Sequence, residues 1–184
     1  MRPTFLRLML VTACSAFTLM AADTGNGTMA QIHDKVLSDI EGEVVPLAEA
    51  MPAEKYDFAP TTGQFSGVRT FRLQMTHIAT VIYEVASGVL GEKCPVDQGK
   101  NENGAESLNS KDAVVKYLKD AFAYAHRAMN SLTDRNFTEN VDKPFGKMPR
   151  GAVAEIAVWH TYDHYGQAVV YLRMNGIVPP ASRK

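Results

Sequence analysis

Residues 68–90 read VRTFRLQMTHIATVIYEVASGVL, with Phe71, Met75, Ile78, Ile82 and Val85 recurring at intervals of three and four. That spacing stacks all five on one face of an α-helix. Gly91 follows, and glycine is the residue that enters the left-handed conformation at a helix end without steric cost. A helix with such a stripe gains most of its stability by burying it, so the fold is decided by what lies opposite.

Upstream, residues 28–51 repeat Met29, Ile32, Val36, Ile40, Val44 and Leu47 at helical spacing behind Thr28, a good N-cap. Pro46 predicts a kink or an early end near Val45. Pro52, Pro60 and Gly63 mark an irregular connection to the central helix. Downstream, GEKCPVDQGKNENGAESLNS, residues 91–110, is polar and glycine-rich and reads as a flexible loop, disordered or acting as a lid. Ser110 caps a third helix over residues 111–132, with Val114, Leu118, Phe122, Ala125 and Met129 inward. A fourth helix starts near Arg150 and ends at Asn175 and Gly176, before Pro179 and Pro180. No segment alternates convincingly at period two. Four amphipathic helices with long crossings predict an all-α four-helix bundle of non-simple topology over residues 28–182.

The chain has 184 residues with a formal net charge of -1, and its 39 charged side chains are scattered rather than clustered. No basic patch offers itself to a polyanion, so no nucleic-acid partner is expected. Residues 1–22 read as a secretory signal peptide: Arg2 and Arg7 precede an apolar run from Leu8 to Met20, closed by Ala21 and Ala22. The run is too short for a permanent span, which predicts a periplasmic or extracellular protein. The stretch VTAC, ending in Cys14, loosely resembles a lipoprotein cleavage box, but an apolar run continues beyond it, so lipid anchoring ranks second. Cleavage near Ala22 leaves Cys94 as the lone cysteine, so no internal disulfide is available. Loss of Arg2 and Arg7 leaves 17 basic residues against 20 acidic ones.

Two of the five histidines, His160 and His164, stand four residues apart in the fourth helix and project from one face. They share a stripe with Ile156, Asp163, Gln167, Tyr171 and Met174 that reads as inward-facing, with Trp159 packing between helices. Buried neutral imidazoles need partners for both ring nitrogens, and a divalent cation supplies one to each ring. A site open to chemistry usually takes three protein ligands, and His77 on the second helix is the candidate third. The competing reading is plain: paired histidines arise by chance, and a lone inward histidine is more often a hydrogen-bonded core residue. Ligating histidines donate their other N–H to a carboxylate or carbonyl. By spacing, Asp163 and Glu84 are the available acids, and Gln167 is placed to bond a water or substrate. His33 reads as a surface residue, and His126, beside Arg127 on the third helix, is not expected to be a ligand.

The segments FRLQMTHIA (Phe71–Ala79), WHTYDHYGQAVVYLRMNGIVPP (Trp159–Pro180) and MPAEKYDFAPTTGQFSGVRTF (Met51–Phe71) together resemble the DinB-like superfamily, over nearly all of the chain beyond the signal. The resemblance implies an up-down-down-up four-helix bundle, often a homodimer, with one divalent ion such as zinc, nickel or iron. By motif position its ligands fall on His77, His160 and His164. The activities it implies are metal-dependent hydrolysis or thiol S-transfer on a small-molecule substrate not identified by sequence. A non-catalytic metal-binding or stress-related bundle is the alternative.

Overall fold

The computed structural model describes residues 27–60, 67–142 and 144–183. Four helices dominate: α1 (Met29–Ala50), α2 (Phe71–Leu90), α3 (Lys111–Met129) and α4 (Arg150–Met174). A two-residue ladder, β1 (Asn140–Val141) against β2 (Met148–Pro149), lies just before α4. The signal segment and Cys14 lie outside the described residues. No helix among those residues is long and apolar enough to cross a membrane.

Side-chain oxygens start three of the helices. Thr28 forms a capping box with Gln31, Thr70 accepts from the Leu73 N–H, and Ser110 accepts from the Ala113 N–H, each satisfying an orphan donor of the first turn. Pro149 offers α4 no such oxygen. There the crossing segment substitutes: the carbonyls of Glu139 and Phe137 accept from the Arg150 and Gly151 N–H groups at 2.8 and 2.9 Å. The Phe137 ring lies so close that a Cβ on Gly151 would sit 2.2 Å from it, so any larger residue there must displace the ring.

Polar contacts fix the helix directions. Lys111 at the start of α3 donates to the Glu49 and Met51 carbonyls at the end of α1, and His126 near the end of α3 meets Asp34 near the start of α1. α1 and α3 are therefore antiparallel. Arg72 reaches the Leu108 carbonyl and Glu92 pairs with Arg127, so α2 and α3 run the same way. Gln74 meets Gln167 while Arg150 donates to the Val89 carbonyl, so α4 opposes α2. α2 is the most enclosed element, with sixteen of its twenty residues buried.

The helices fall close to the predicted spans, with informative differences. α1 continues through Pro46, because Val44, Val45, Leu47 and Ala48 are buried on both sides of it and packing outweighs the lost hydrogen bond. Its buried face is Leu37, Ile40, Val44 and Leu47, whereas Ile32 and Val36 are exposed. Trp159 is not between helices; it is 57% exposed. On the expected inward stripe of α4, Ile156, His164 and Tyr171 are buried, but Asp163, Gln167 and Met174 face solvent. The stripe was read one position too wide: the helix touches α1 and α2 along a narrow seam, so residues a third of a turn away return to water.

Candidate metal centre

His77 stands in the middle of α2, and His160 and His164 stand one turn apart in α4. Because α2 and α4 are antiparallel neighbours, the three side chains meet between them. His77 and His164 are 6% and 7% exposed, and His160 is half-buried. The ring centroids are 4.5 to 5.0 Å apart. One nitrogen from each ring lies within 4.8 Å of those of the other two.

Hydrogen bonds decide which nitrogens face one another. His77 Nδ1 lies 3.0 Å from the Glu102 carbonyl oxygen, which can only accept, so that nitrogen carries the proton. His164 Nδ1 lies 2.6 Å from Gln74 Oε1, and Gln74 is oriented by donating its amide to Gln167 Oε1 at 3.1 Å. Both rings are thereby held with a bare Nε2. His77 Nε2 is 3.2 Å from His160 Nε2. Two imidazole nitrogens bound to one tetrahedral zinc at about 2.05 Å would be about 3.3 Å apart, so the spacing of this pair fits a shared ion. The outer nitrogen of His160 is buried without a partner, which leaves that ring the least firmly oriented of the three.

The electrostatics favour neutral rings. Burial, then the other two histidines and Arg69, push His160 down to about 3. Burial and His77 push His164 down to about 4, against a small opposing effect of Asp163. Burial and Arg69 lower His77 as well. Neutral imidazoles with free lone pairs are the form that binds a cation, and protons compete weakly for them. Three nitrogens in a desolvated setting suit zinc, nickel or iron. No fourth histidine, cysteine or carboxylate joins the cluster among the described residues, so the donor set leaves coordination positions open.

The sequence model of the DinB superfamily matches residues 37–168. The chain belongs to the DinB superfamily. Two solved DinB-like proteins share its fold. One, from Bacillus cereus ATCC 10987, has a TM-score of 0.66 at 18% identity, covering 82% of this chain and 95% of its own. Another, from Bacillus subtilis, has a TM-score of 0.58 at 20% identity, covering 82% of this chain and 99% of its own. No curated protein matches the chain.

Within this DinB-superfamily bundle the surrounding residues sort differently from their sequence spacing. Gln167 accepts from Gln74 and donates to Asp163 Oδ2 at 3.2 Å. Asp163 and Gln167 therefore form the solvent end of a relay that reaches His164 through Gln74. Glu84 makes no hydrogen bond to the three histidines; Gln98 donates to its Oε1, and its Oε2 is buried without a partner. Burial and the nearby Glu102 raise the Glu84 carboxyl above the usual carboxylate range. It lines a cleft of about 800 Å³ with Cys94, Gln98 and Asp142.

Two contributors were missed. Gln74 is 2% exposed, and a glutamine one turn before His77 in an otherwise apolar stripe was its visible signal. The other is the loop read as flexible, which folds into a strap with a 3-10 turn at Lys100–Glu102. Asn101 and Glu102 both adopt left-handed backbone, with φ of 55° and 52°, a conformation worth about 1 kcal/mol or more against each non-glycine residue. Gly99 also has a positive φ, 63°, with an extended ψ, and a Cβ there would fall 1.9 Å from the Gly104 carbonyl oxygen. The strain turns successive carbonyls to different partners, Asn101 to Arg69 and Glu102 to His77.

Proposed function

We propose that this protein is exported and acts as a metal-dependent hydrolase or thiol S-transferase, using one divalent ion held by His77, His160 and His164. The observation that carries the reading is the convergence of three uncharged imidazoles, two of them with Nε2 bared by partners on the opposite ring nitrogen. When bound, such an ion acts as a Lewis acid, bringing the pKa of water to about 7 or keeping a thiol deprotonated. The protein's own part is orientation. The Glu102 carbonyl and Gln74 amide hold two rings, α2 and α4 exclude water from the inner side, and the exposed Asp163–Gln167 pair offers hydrogen bonds to an incoming substrate. Export rests on the basic and then apolar residues of 1–22.

The test begins with elemental analysis of freshly purified protein, followed by cobalt(II) substitution and addition of azide. One ion per chain with a visible spectrum that azide changes is the expected result, because azide takes an open position. Failure to retain or take up one equivalent of zinc, nickel, iron or cobalt overturns the metal centre. A cobalt spectrum indifferent to azide points instead to a closed, structural ion. Given an open site, a screen of esters and low-molecular-weight thiols distinguishes hydrolysis from transfer.

A further inference from the structure

Arg69, immediately before α2, is a partly buried guanidinium that forms no ion pair among the described residues. Its Nε donates to Asn103 Oδ1 at 2.8 Å and its Nη2 to the Asn101 carbonyl at 3.0 Å. Both acceptors are neutral, so they fix the plane of the group without cancelling its charge. Glu102, the carboxylate that acts on Arg69 through space, lies beyond ion-pair distance. Desolvation of Arg69 therefore stands largely uncompensated, a costly arrangement for a charged group unless something else supplies the anion.

The bonded donors occupy the Nε–Nη2 edge, and Nη1 and the second N–H of Nη2 have no partner among the described residues. That end-on pair matches the two oxygens of a carboxylate. Arg69 lines a pocket of about 440 Å³ with Val68, Leu73, Gln74, Asn103 and Gln167. None of the side chains lining it is acidic. Val68 and Leu73 give an apolar wall, and four amide side chains give neutral donors and acceptors. Gln74 is also the residue hydrogen-bonded to His164, so pocket and histidine cluster share a wall. The Arg69 charge reaches all three rings, lowering each.

We propose that this pocket is a carboxylate-recognition site in which Arg69 grips the anionic end of a small organic acid beside the histidine cluster. Its role in selecting substrates rests on the metal-centre reading above; the binding of carboxylate does not. Arg69 is held ready by the strained strap, so the guanidinium is oriented before the ligand arrives.

The experiment titrates butyrate, butyramide and inorganic phosphate into chelator-treated and zinc-reconstituted protein, following backbone and side-chain amide shifts by NMR. Butyrate should bind saturably in both forms and move Gln74, Asn103 and Gln167. Butyramide, with the same shape and no charge, should bind at least tenfold more weakly, and phosphate more weakly than butyrate. Arg69→Gln should weaken butyrate at least tenfold, with Arg69→Lys in between because it keeps charge but not the planar fork. Equal binding of butyrate and butyramide, no saturable butyrate binding in either form, or phosphate binding more tightly overturns the proposal. That wild-type comparison decides the matter even if Arg69→Gln disturbs the strap. Zinc content of the same samples tests the metal centre separately, so either idea can fail alone.

Discussion

Two histidine sites in this bundle sit in opposite electrical worlds. Between α2 and α4, His77, His160 and His164 face one another with no carboxylate bonded to any ring, and burial pushes all three below their ordinary range. Between α1 and α3, His126 has Asp34 on Nδ1 at 2.7 Å and Glu41 on Nε2 at 2.9 Å. Burial opposes charge there too, but hydrogen bonds to Glu41 and Asp34 outweigh it and lift the ring above its ordinary value. With a carboxylate on each nitrogen, both nitrogens donate and His126 is an imidazolium. The difference teaches that a histidine's chemistry is set by what faces its second nitrogen. A carbonyl or amide oxygen leaves the ring neutral with a lone pair to give; two carboxylates consume both nitrogens and leave nothing for a metal.

The largest effect is expected from removing one ring at each site. His77→Ala should abolish stoichiometric metal, whereas His126→Ala should leave it unchanged, as elemental analysis will read. Metal at a hundredfold over its Kd adds about 2.7 kcal/mol to stability, or roughly 5–10 °C in Tm for a chain of this size. That increment should vanish only in His77→Ala. Retained metal in His77→Ala would remove this residue from the ligand set.

A gentler cut is Gln74→Ala, which keeps all three rings but frees His164 Nδ1. Loss of such an outer partner typically costs 10–100-fold in metal affinity, measurable by competition with a chromophoric chelator. Affinity unchanged within twofold would show that the Gln74–His164 bond does not prepare the site.

The smallest effect lies in pH dependence, where the two sites should act with opposite sign. In metal-free protein the buried rings have folded pKa values below the unfolded 6.5. Their contribution is present above that value and lost as pH falls toward about 4 for His164 and about 3 for His160. His126 has a raised folded pKa, so its contribution is full below 6.5 and lost as pH rises through the folded value. Denaturant melts from pH 4 to 8, with histidine NMR titrations, should show both limbs. Replacing both acids, Asp34→Asn with Glu41→Gln, should remove only the alkaline limb, by about 1 kcal/mol given partial exposure. A His126 titration below 6.5 in the wild type would sink the comparison.

Local rules made most of the architecture legible. Thr28 and Ser110 cap the helices that their side chains predict, and Gly91 and Gly176 end α2 and α4 with left-handed backbone. The same rules brought His160 and His164 together, because one turn of helix is a property of four consecutive residues. Pairing with His77 needed the antiparallel packing of α2 and α4, across 83 residues of chain. Spacing misled where a stripe's width depended on the neighbour: Ile32, Val36 and Trp159 are apolar, yet they lie exposed because no helix among the described residues covers them.

The features legible along the chain are local: the helices, most of their caps, the paired histidines and the amphipathic faces, all governed by interactions within a few residues. Packing of the helices was needed to make the glycine-rich loop a strap, to bring Glu102 and Gln74 onto the rings, to set Arg69 beside the site, and to enclose His126 between acids. Those contacts join residues 25 to 92 positions apart. Their partners are chosen by packing of whole helices, for which no pattern along the chain is a proxy.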